Sequence, residues 1–510
     1  MCVLDQPDQS WSRPSVKIVQ GVRRRLGRLW HVDDDARTRL MESSTWADGL
    51  RGIATLGVVS SHLVLCFGRS LVRPCCGSDE GTPMLFQRPI LRLISTGHSW
   101  VAVFFVLLGF VNSLKPLKQA RSAQHEAALA NLATSSFRRP FRLILPSSLA
   151  TIIAWTVCQL GLMEGGRTGD AWWLYENTPA PSSSWLLAFS DLWTSLWHTW
   201  TYGGSNKYDQ PQWTMIFLLQ ASMMVFTALL IVVNLNARWR TFMLTLFTFW
   251  SLNLSVTIED PVVGPTCLAG IILAELSLTS LPVSLSERRL TPILASLFIT
   301  LGLIFMSVTH DDPASAPWCD FLWRFAATYF PTAANREFHR TWGSIGAIFL
   351  SLGIIFSPHA RQLLSTKPLT WLGRISFPVF LLHPLFMQTV MPLFAFSSGY
   401  FMATTDIKWD PMTGLQTFTE VPRYRQRGNA MLGVAVVVTL ACTLAASHLW
   451  MMKVEPVFGR ITRGCEEVMT GRSEVGWSLP KFMANGQVNG TANGHLQGAG
   501  VPAVKEGHVS

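Results

Sequence analysis

Two costly polar side chains, Arg51 and His62, interrupt the apolar stretch that runs from Asp48 to His62. Eleven residues at about 100° each make about three helical turns plus 20°, so both side chains share one helix face, about 16 Å apart along the axis. A neutral imidazole in a low-dielectric site can take a proton from a hydroxyl nucleophile, which makes His62 a candidate general base. A guanidinium near a membrane boundary can hold phosphate or carboxylate with its planar fork of donors. Each residue also has a plainer use. Arg51 can pair with Asp48 on the same helix or simply flank a membrane segment on its basic side, and His62 can be an interhelical hydrogen bond. Ionisable groups inside a membrane are expensive and usually functional.

The rest of the chain supplies that membrane premise. Of 510 residues, 49% are hydrophobic and only 14% charged, well below the roughly one quarter of a soluble domain. Mean hydropathy is +0.28. Stretches of about 20 mainly apolar residues occur ten times, near 50–68, 95–114, 143–163, 213–235, 240–258, 262–281, 290–308, 341–357, 370–396 and 430–452. The expected class is an all-α polytopic membrane protein of about ten transmembrane helices. With a cytosolic N-terminus, the inside loops carry Lys115, Lys118, Arg121, Arg138, Arg139 and Arg142, then Arg238 and Arg240, Arg288 and Arg289, and Arg361 and Lys367. Outside connections hold Glu164 to Glu176, Glu259-Asp260, Asp311, Asp312 and Asp320. An even count follows, with both termini cytosolic. Residues 1–44 offer no apolar run for a cleaved signal, so the first span is expected to be its own signal.

Two regions test that count. Trp185 to Trp200 could be an eleventh span, although Asp191 and His198 favour an interfacial helix. Arg423, Arg425 and Arg427 fall on the expected outer side and oppose the orientation. Pro14 to Leu40 reads as a basic amphipathic surface helix, and the Gly- and Asn-rich tail from about Gly471 is too polar to bury a core. Nine cysteines lack metal-ligand spacing, and no metal is expected. A bridge from Cys75 or Cys76 to Cys319 has no pattern to support it, so unpaired thiols are expected. Asn489-Gly490-Thr491 fits the glycosylation pattern but would face the cytosol. There is no phosphate loop, GxSxG elbow or dinucleotide fingerprint, and nucleic acid is not among the expected partners.

The stretch Asp48-Gly49-Leu50-Arg51-Gly52-Ile53-Ala54 through His62 resembles the first span of the membrane-bound acyltransferase 3 family, an Arg, ten residues, then a His. Three further pieces follow in the family's order. Phe104-Phe105-Val106-Leu107-Leu108-Gly109-Phe110 is similar to its second-span motif, and Arg138-Arg139-Pro140-Phe141-Arg142-Leu143-Ile144-Leu145-Pro146 to its basic entry into the third span. Trp371-Leu372-Gly373-Arg374-Ile375-Ser376-Phe377-Pro378-Val379-Phe380-Leu381-Leu382-His383-Pro384 is similar to its late histidine-containing span. The resemblance covers about residues 45–455, leaving a cytosolic segment 1–44 and a cytosolic tail 456–510.

The resemblance implies transfer of an acyl group, commonly acetyl, from acyl-coenzyme A to a hydroxyl acceptor. The run of Tyr208-Asp209 into Trp213-Thr214 looks most like members from filamentous fungi, which makes a secondary metabolite the first acceptor class to consider. On this reading Arg138, Arg139 and Arg142 hold the coenzyme phosphates with Arg51 beside them. His62 deprotonates the acceptor and His383 orients His62 or the acceptor, while Trp213 and Ser222 line the pocket. Nothing is bound as a resident cofactor; acyl-coenzyme A, most simply acetyl-coenzyme A, is a co-substrate. The partners are the lipid bilayer, the coenzyme and a small-molecule hydroxyl acceptor, in the endoplasmic reticulum or another endomembrane. For the arginines topology is an equal alternative, and for His383 a structural kink at Pro384.

Departures matter too. Leu218 and Gln220 stand where fungal relatives carry a Glu and an Arg, Leu108 where a Ser is usual and Pro211 where a His is common. Losing both partners of a buried ion pair costs far less than losing one. An altered acceptor pocket is therefore expected rather than a dead enzyme. A polytopic transporter and a non-catalytic membrane scaffold are the rival readings; the chain shows no pair of matching halves of the kind many transporters have.

Overall fold

The computed structural model describes residues 41, 43–75, 82–201, 203–252, 260–330, 337–409 and 416–470. The chain divides into two compact units, Met1–Arg463 and Gly464–Ser510. In the second, only the end of one helix is described. The expectations for Pro14 to Leu40, Cys76, Glu259, the polar tail and its glycosylation triplet lie outside the described residues.

Each of the ten apolar stretches contains helix among its described residues. In chain order these are α1 (Thr45–Phe67), α2 (Gly97–Arg121), α3 (His125–Gln159), α4 (Trp185–Thr201), α5 (Trp213–Val232), α6 (Ala237–Ser251), α7 (Val263–Ser277) and α8 (Thr291–Met306). Then come α9 (Phe338–Phe356), α10 (Pro358–Leu364), α11 (Lys367–Arg374), α12 (Ser376–Ala395), α13 (Asn429–Lys453) and α14 (Glu455–Met469). Among the described residues six helices are long and apolar enough to cross a membrane: α1, α2, α3, α5 with the turn before it, α12, and α13 running on into α14. A seventh arises if α9 and α10, bent by 104°, form one span. Helices α7 and α8 are apolar but shorter, and α6 has 15 residues.

Helix α4 is the tryptophan-rich segment. It buries Ala188, Ser195 and Thr199 and turns Trp185, Phe189, Trp193 and Trp197 outward. At 17 residues it is not among the helices that meet the membrane-crossing criteria. Between α12 and α13, where no sheet was expected, β1 (Phe396–Trp409) pairs antiparallel with β2 (Gln416–Gln426). Arg423, one of the cations opposing the orientation, has its guanidinium 3.4 Å from the Tyr175 ring centroid and donates to the Arg167 carbonyl.

Small residues set the closest helix approaches. A Cβ at Gly109 of α2 would lie 2.0 Å from the Cys267 carbonyl oxygen of α7, and one at Gly270 would lie 2.3 Å from that of Val106. Such contact is how helices associate where lipid removes most of the hydrophobic gain from burying side chains. Several arginines assigned to basic inside loops also hold structure. Glu275, 2% exposed, pairs with Arg121 at 2.7 Å and with the buried Arg240 at 2.9 Å, tying α2, α6 and α7 together. Arg361 donates to the carbonyls of Met41, Ile354 and Ile355.

Candidate active site

His62 and His383 meet. The Nδ1 of His62 lies 2.9 Å from the Nε2 of His383, and the two rings are within 7° of coplanar. His383 Nδ1 lies 2.8 Å from the Phe380 carbonyl and 3.1 Å from that of Val379. A carbonyl only accepts, so Nδ1 of His383 carries hydrogen and, in the neutral ring, its Nε2 accepts. Nδ1 of His62 therefore donates. That leaves Nε2 of His62 as an unprotonated base. The tautomers follow from the hydrogen-bond network.

The sequence explains why His383 sits this way. In an unbroken helix the N–H of residue 384 would bond to the Phe380 carbonyl, but Pro384 has none. The orphaned carbonyl is the one His383 satisfies. Kink and orienting role, separate alternatives at first, are one device. His62 is further held by stacking on Trp173, 4.6 Å away, from the short helix Trp172–Asn177.

Two cavities adjoin along α1, and His62 of the dyad lines the smaller. The larger, about 490 Å³, is lined by Arg51, Arg139, Arg142 and Arg374 with a single carboxylate, Glu455. The smaller, about 130 Å³, is lined by His62 together with His98, His310 and His339, and by no Asp, Glu, Lys or Arg. Val101, Thr214 and Phe380 line both and form the partition. So Arg51 and His62 share a helix but open into different chambers.

The arginines are not equivalent. Arg51 donates from Nε and Nη2 to the Gly373 carbonyl at 3.1 and 2.9 Å and from Nη2 to Asp48 at 2.9 Å. It clamps the end of α11 against α1, where a Cβ at Gly373 would lie 2.0 Å from the Asp48 carbonyl oxygen. The Asp48 pairing weighed from the sequence is present, and the carbonyl bonds add a packing role. Arg139 donates from Nε to the Ser222 hydroxyl at 2.8 Å, so Ser222 acts on the arginine. Arg142 and Arg374 are exposed to the larger chamber and have no ion pair or hydrogen bond among the described residues. Arg138 does not line it. Of the departures from the family pattern, Leu108 and Leu218 line the arginine chamber and Pro211 the histidine chamber. With leucine at 218 in place of the carboxylate, Arg139 keeps a neutral hydroxyl as partner.

The segment that carries the partition is fixed by a buried polar network. Asn206 Nδ2 donates to Thr151 at 3.0 Å and Thr199 at 2.9 Å; Gln212 Nε2 donates to Asp209 at 2.7 Å and to the Ser147 carbonyl at 3.2 Å. Asp209, in the loop before α5, is 3% exposed, and its Oδ1 has no partner among the described residues. Burial pushes its carboxyl up to about 7, against a smaller opposing pull from the Gln212 hydrogen bond. Behind the smaller chamber, Arg92 is fully buried and donates to the carbonyls of Ser307 and Val72. Burial lowers it to about 10, still a cation at neutral pH.

The sequence reading missed Arg374, His98, His310 and His339. Arg374 lay inside a quoted motif. The three histidines stand at helix ends that the loop charges place on one side, a signal that could have joined them. Among the described residues no cluster of His, Cys, Asp or Glu could hold a metal ion, and Cys75 and Cys319 form no disulfide.

On a helical membrane scaffold, paired imidazoles beside a neutral chamber that adjoins a cationic one are an arrangement able to transfer a group between two substrates. The chain belongs to the membrane-bound acyltransferase 3 family: the family model described as "Acyltransferase domain" matches residues 44–447. It is similar to O-acetyltransferase PaAT-1 of Phomopsis amygdali, 26% identical over 69% of this chain and 74% of that one. Acyltransferase R4 of a Phoma species is 24% identical, and acyltransferase clz18 of Cochliobolus lunatus 25%, each over 67% of this chain and 82% of its own. No solved structure matches the chain. It is an acyltransferase, and the transporter reading falls away.

Proposed function

We propose that this protein is an integral membrane O-acyltransferase that moves an acyl group, acetyl in the simplest case, from acyl-coenzyme A to a hydroxyl of a small molecule. The observation that carries the proposal is the relay from the Phe380 carbonyl through His383 to His62, which leaves a basic nitrogen beside the histidine chamber. The acceptor hydroxyl gives its proton to His62 Nε2 as its oxygen attacks the thioester carbonyl. The tetrahedral adduct expels the coenzyme thiolate, which takes that proton from His62, leaving ester and free thiol. His383 holds the ring and its tautomer, the work of an orienting partner.

The arginine chamber suits the donor. Arg142 and Arg374, unpartnered among the described residues, with Arg139 beside them, offer forks for phosphate oxygens. The acyl end would reach the acceptor at the partition of Val101, Thr214 and Phe380. Ten membrane crossings with both termini cytosolic would open the arginine chamber to the cytosol, where the coenzyme is made. This topology needs α6, α7 and α8 to cross although they are short. Fungal relatives named O-acetyltransferase and acyltransferase support the acyl transfer itself, and the proposal takes a secondary metabolite as acceptor and an endomembrane as location.

Purified His62→Ala in detergent tests the reading directly. Acyl transfer should fall at least about a hundredfold, the lower range for general-base catalysis. Wild-type transfer by this variant sinks the proposal.

A further inference from the structure

Three imidazoles in the histidine chamber stand apart from the dyad, because their ring nitrogens are uncommitted. His98 and His339 face each other with centroids 5.5 Å apart at 77°, and His339 and His310 lie 4.8 Å apart at 39°. They come from three elements: the first turn of α2, the loop after α8 and the first turn of α9. Among the described residues none of their six ring nitrogens has a hydrogen-bond partner, and Nδ1 of His339 is sealed from solvent. Buried polar atoms are rarely left so, and an orphan of this kind requires explanation. His62 and His383, by contrast, spend three of their four nitrogens on each other and on the backbone.

The chemistry of the array selects a class of ligand. A neutral imidazole presents one donor and one acceptor, so three rings around one cavity present three of each. A carboxylate or phosphate only accepts, and an ammonium only donates; either would leave half of the array unmatched. A hydroxyl group does both. No charged side chain lines the chamber to neutralise an ion, and about 130 Å³ holds a single small ring.

We infer that His98, His310 and His339 form the recognition array of the acceptor, and that the acceptor is a neutral cyclic polyol fragment. It offers one hydroxyl to His62 and a neighbouring hydroxyl to the array. The inference rests on the acyl-transfer reading above. All three line the chamber, His339 half-buried and His98 and His310 exposed. The array sets which hydroxyl compound is chosen; the dyad does the chemistry.

The test compares acylation of cis-1,2-cyclohexanediol and cyclohexanol with acetyl-coenzyme A as donor, in the full-length protein. Wild type should favour the diol by on the order of tenfold in kcat/KM, the worth of one or two hydrogen bonds. His339→Phe, which keeps a ring but removes donor and acceptor, should bring the ratio near one, and His98→Phe should act in the same direction. His339→Asn, which restores one donor and one acceptor, should recover part of the preference. Equal use of both alcohols by wild type overturns the inference, the chamber then holding water only. So does thioester hydrolysis with neither alcohol acylated, or an equal fall for both alcohols in His339→Phe. Persistence of transfer in His62→Ala with the preference for the diol intact would instead sink the underlying reading and leave the array's recognition of a second hydroxyl standing.

Discussion

The two chambers use nitrogen in opposite ways. In the larger one the charged lining nitrogens belong to guanidiniums, with Arg142 and Arg374 lacking partners among the described residues and Arg139 held only by a hydroxyl. In the smaller one the titratable nitrogens belong to imidazoles, and among the described residues no Asp, Glu, Lys or Arg lines it. One chamber attracts polyanions; the other has nothing to hold them. Because α1 contributes to both, a single helix carries Arg51 into the first and His62 into the second. A donor and an acceptor can therefore be recognised by different physics and still meet at a shared wall.

The contrast predicts separable kinetic losses. The largest after His62 itself should come from His383→Leu, which removes the acceptor of the His62 Nδ1 hydrogen and frees the base to rotate or change tautomer. We expect kcat to fall about a hundredfold or more with little change in the KM for acyl-coenzyme A, measured by single-turnover acyl transfer. An altered donor KM with normal kcat would mean that the dyad belongs to the arginine chamber.

Arg142→Ala and Arg374→Ala should do the reverse. Each removes a charge-assisted contact to the donor, so the KM for acyl-coenzyme A should rise about tenfold per residue while acceptor preference stays fixed. A donor lacking its ribose phosphate should be less sensitive to one of the two. If neither variant shifts the donor KM, these arginines serve topology alone.

A smaller effect separates the relay from simple proximity of the histidines. Pro384→Ala supplies a backbone N–H that competes with His383 Nδ1 for the Phe380 carbonyl. We expect kcat to fall about threefold to tenfold, since hydrogen bonds of this kind are worth about 1 kcal/mol. The pH–rate profile should also shift. An unchanged kcat and profile would show that the carbonyl does not fix the tautomer.

Much of this was legible in the sequence, for identifiable reasons. Runs of about 20 apolar residues marked ten stretches that contain helix among their described residues, and spacing put Arg51 and His62 on one helix. The pair His383-Pro384 even contained the reason for the relay, since proline orphans the carbonyl four residues before it. Local patterns could not show which residues share a cavity. His98, His310 and His339 are far apart in sequence and carry no motif among them. Nor could spacing distinguish Arg142, left open, from Arg121 and Arg240, consumed by a buried glutamate. The hairpin of β1 and β2 was missed outright.

The smallest expected effect concerns the wall between the chambers. Thr214 lines both sides, and its hydroxyl donates to the Pro211 carbonyl at 3.2 Å, within the segment that Asp209 and Gln212 anchor. Burial raises the Asp209 carboxyl to about 7 from an ordinary value near 3.8. The folded state therefore favours the protonated acid. Asp209 contributes its full stability below its ordinary range, and that contribution is lost as pH rises through about 7. Asp209→Asn keeps an acceptor for Gln212 but cannot ionise. Relative to wild type, its advantage in apparent melting temperature in detergent should grow by a few degrees between pH 5 and pH 8. A difference that stays constant across that range would mean that Asp209 does not titrate there. The partition would then owe its position to the uncharged members of the network, Asn206, Gln212 and Thr151.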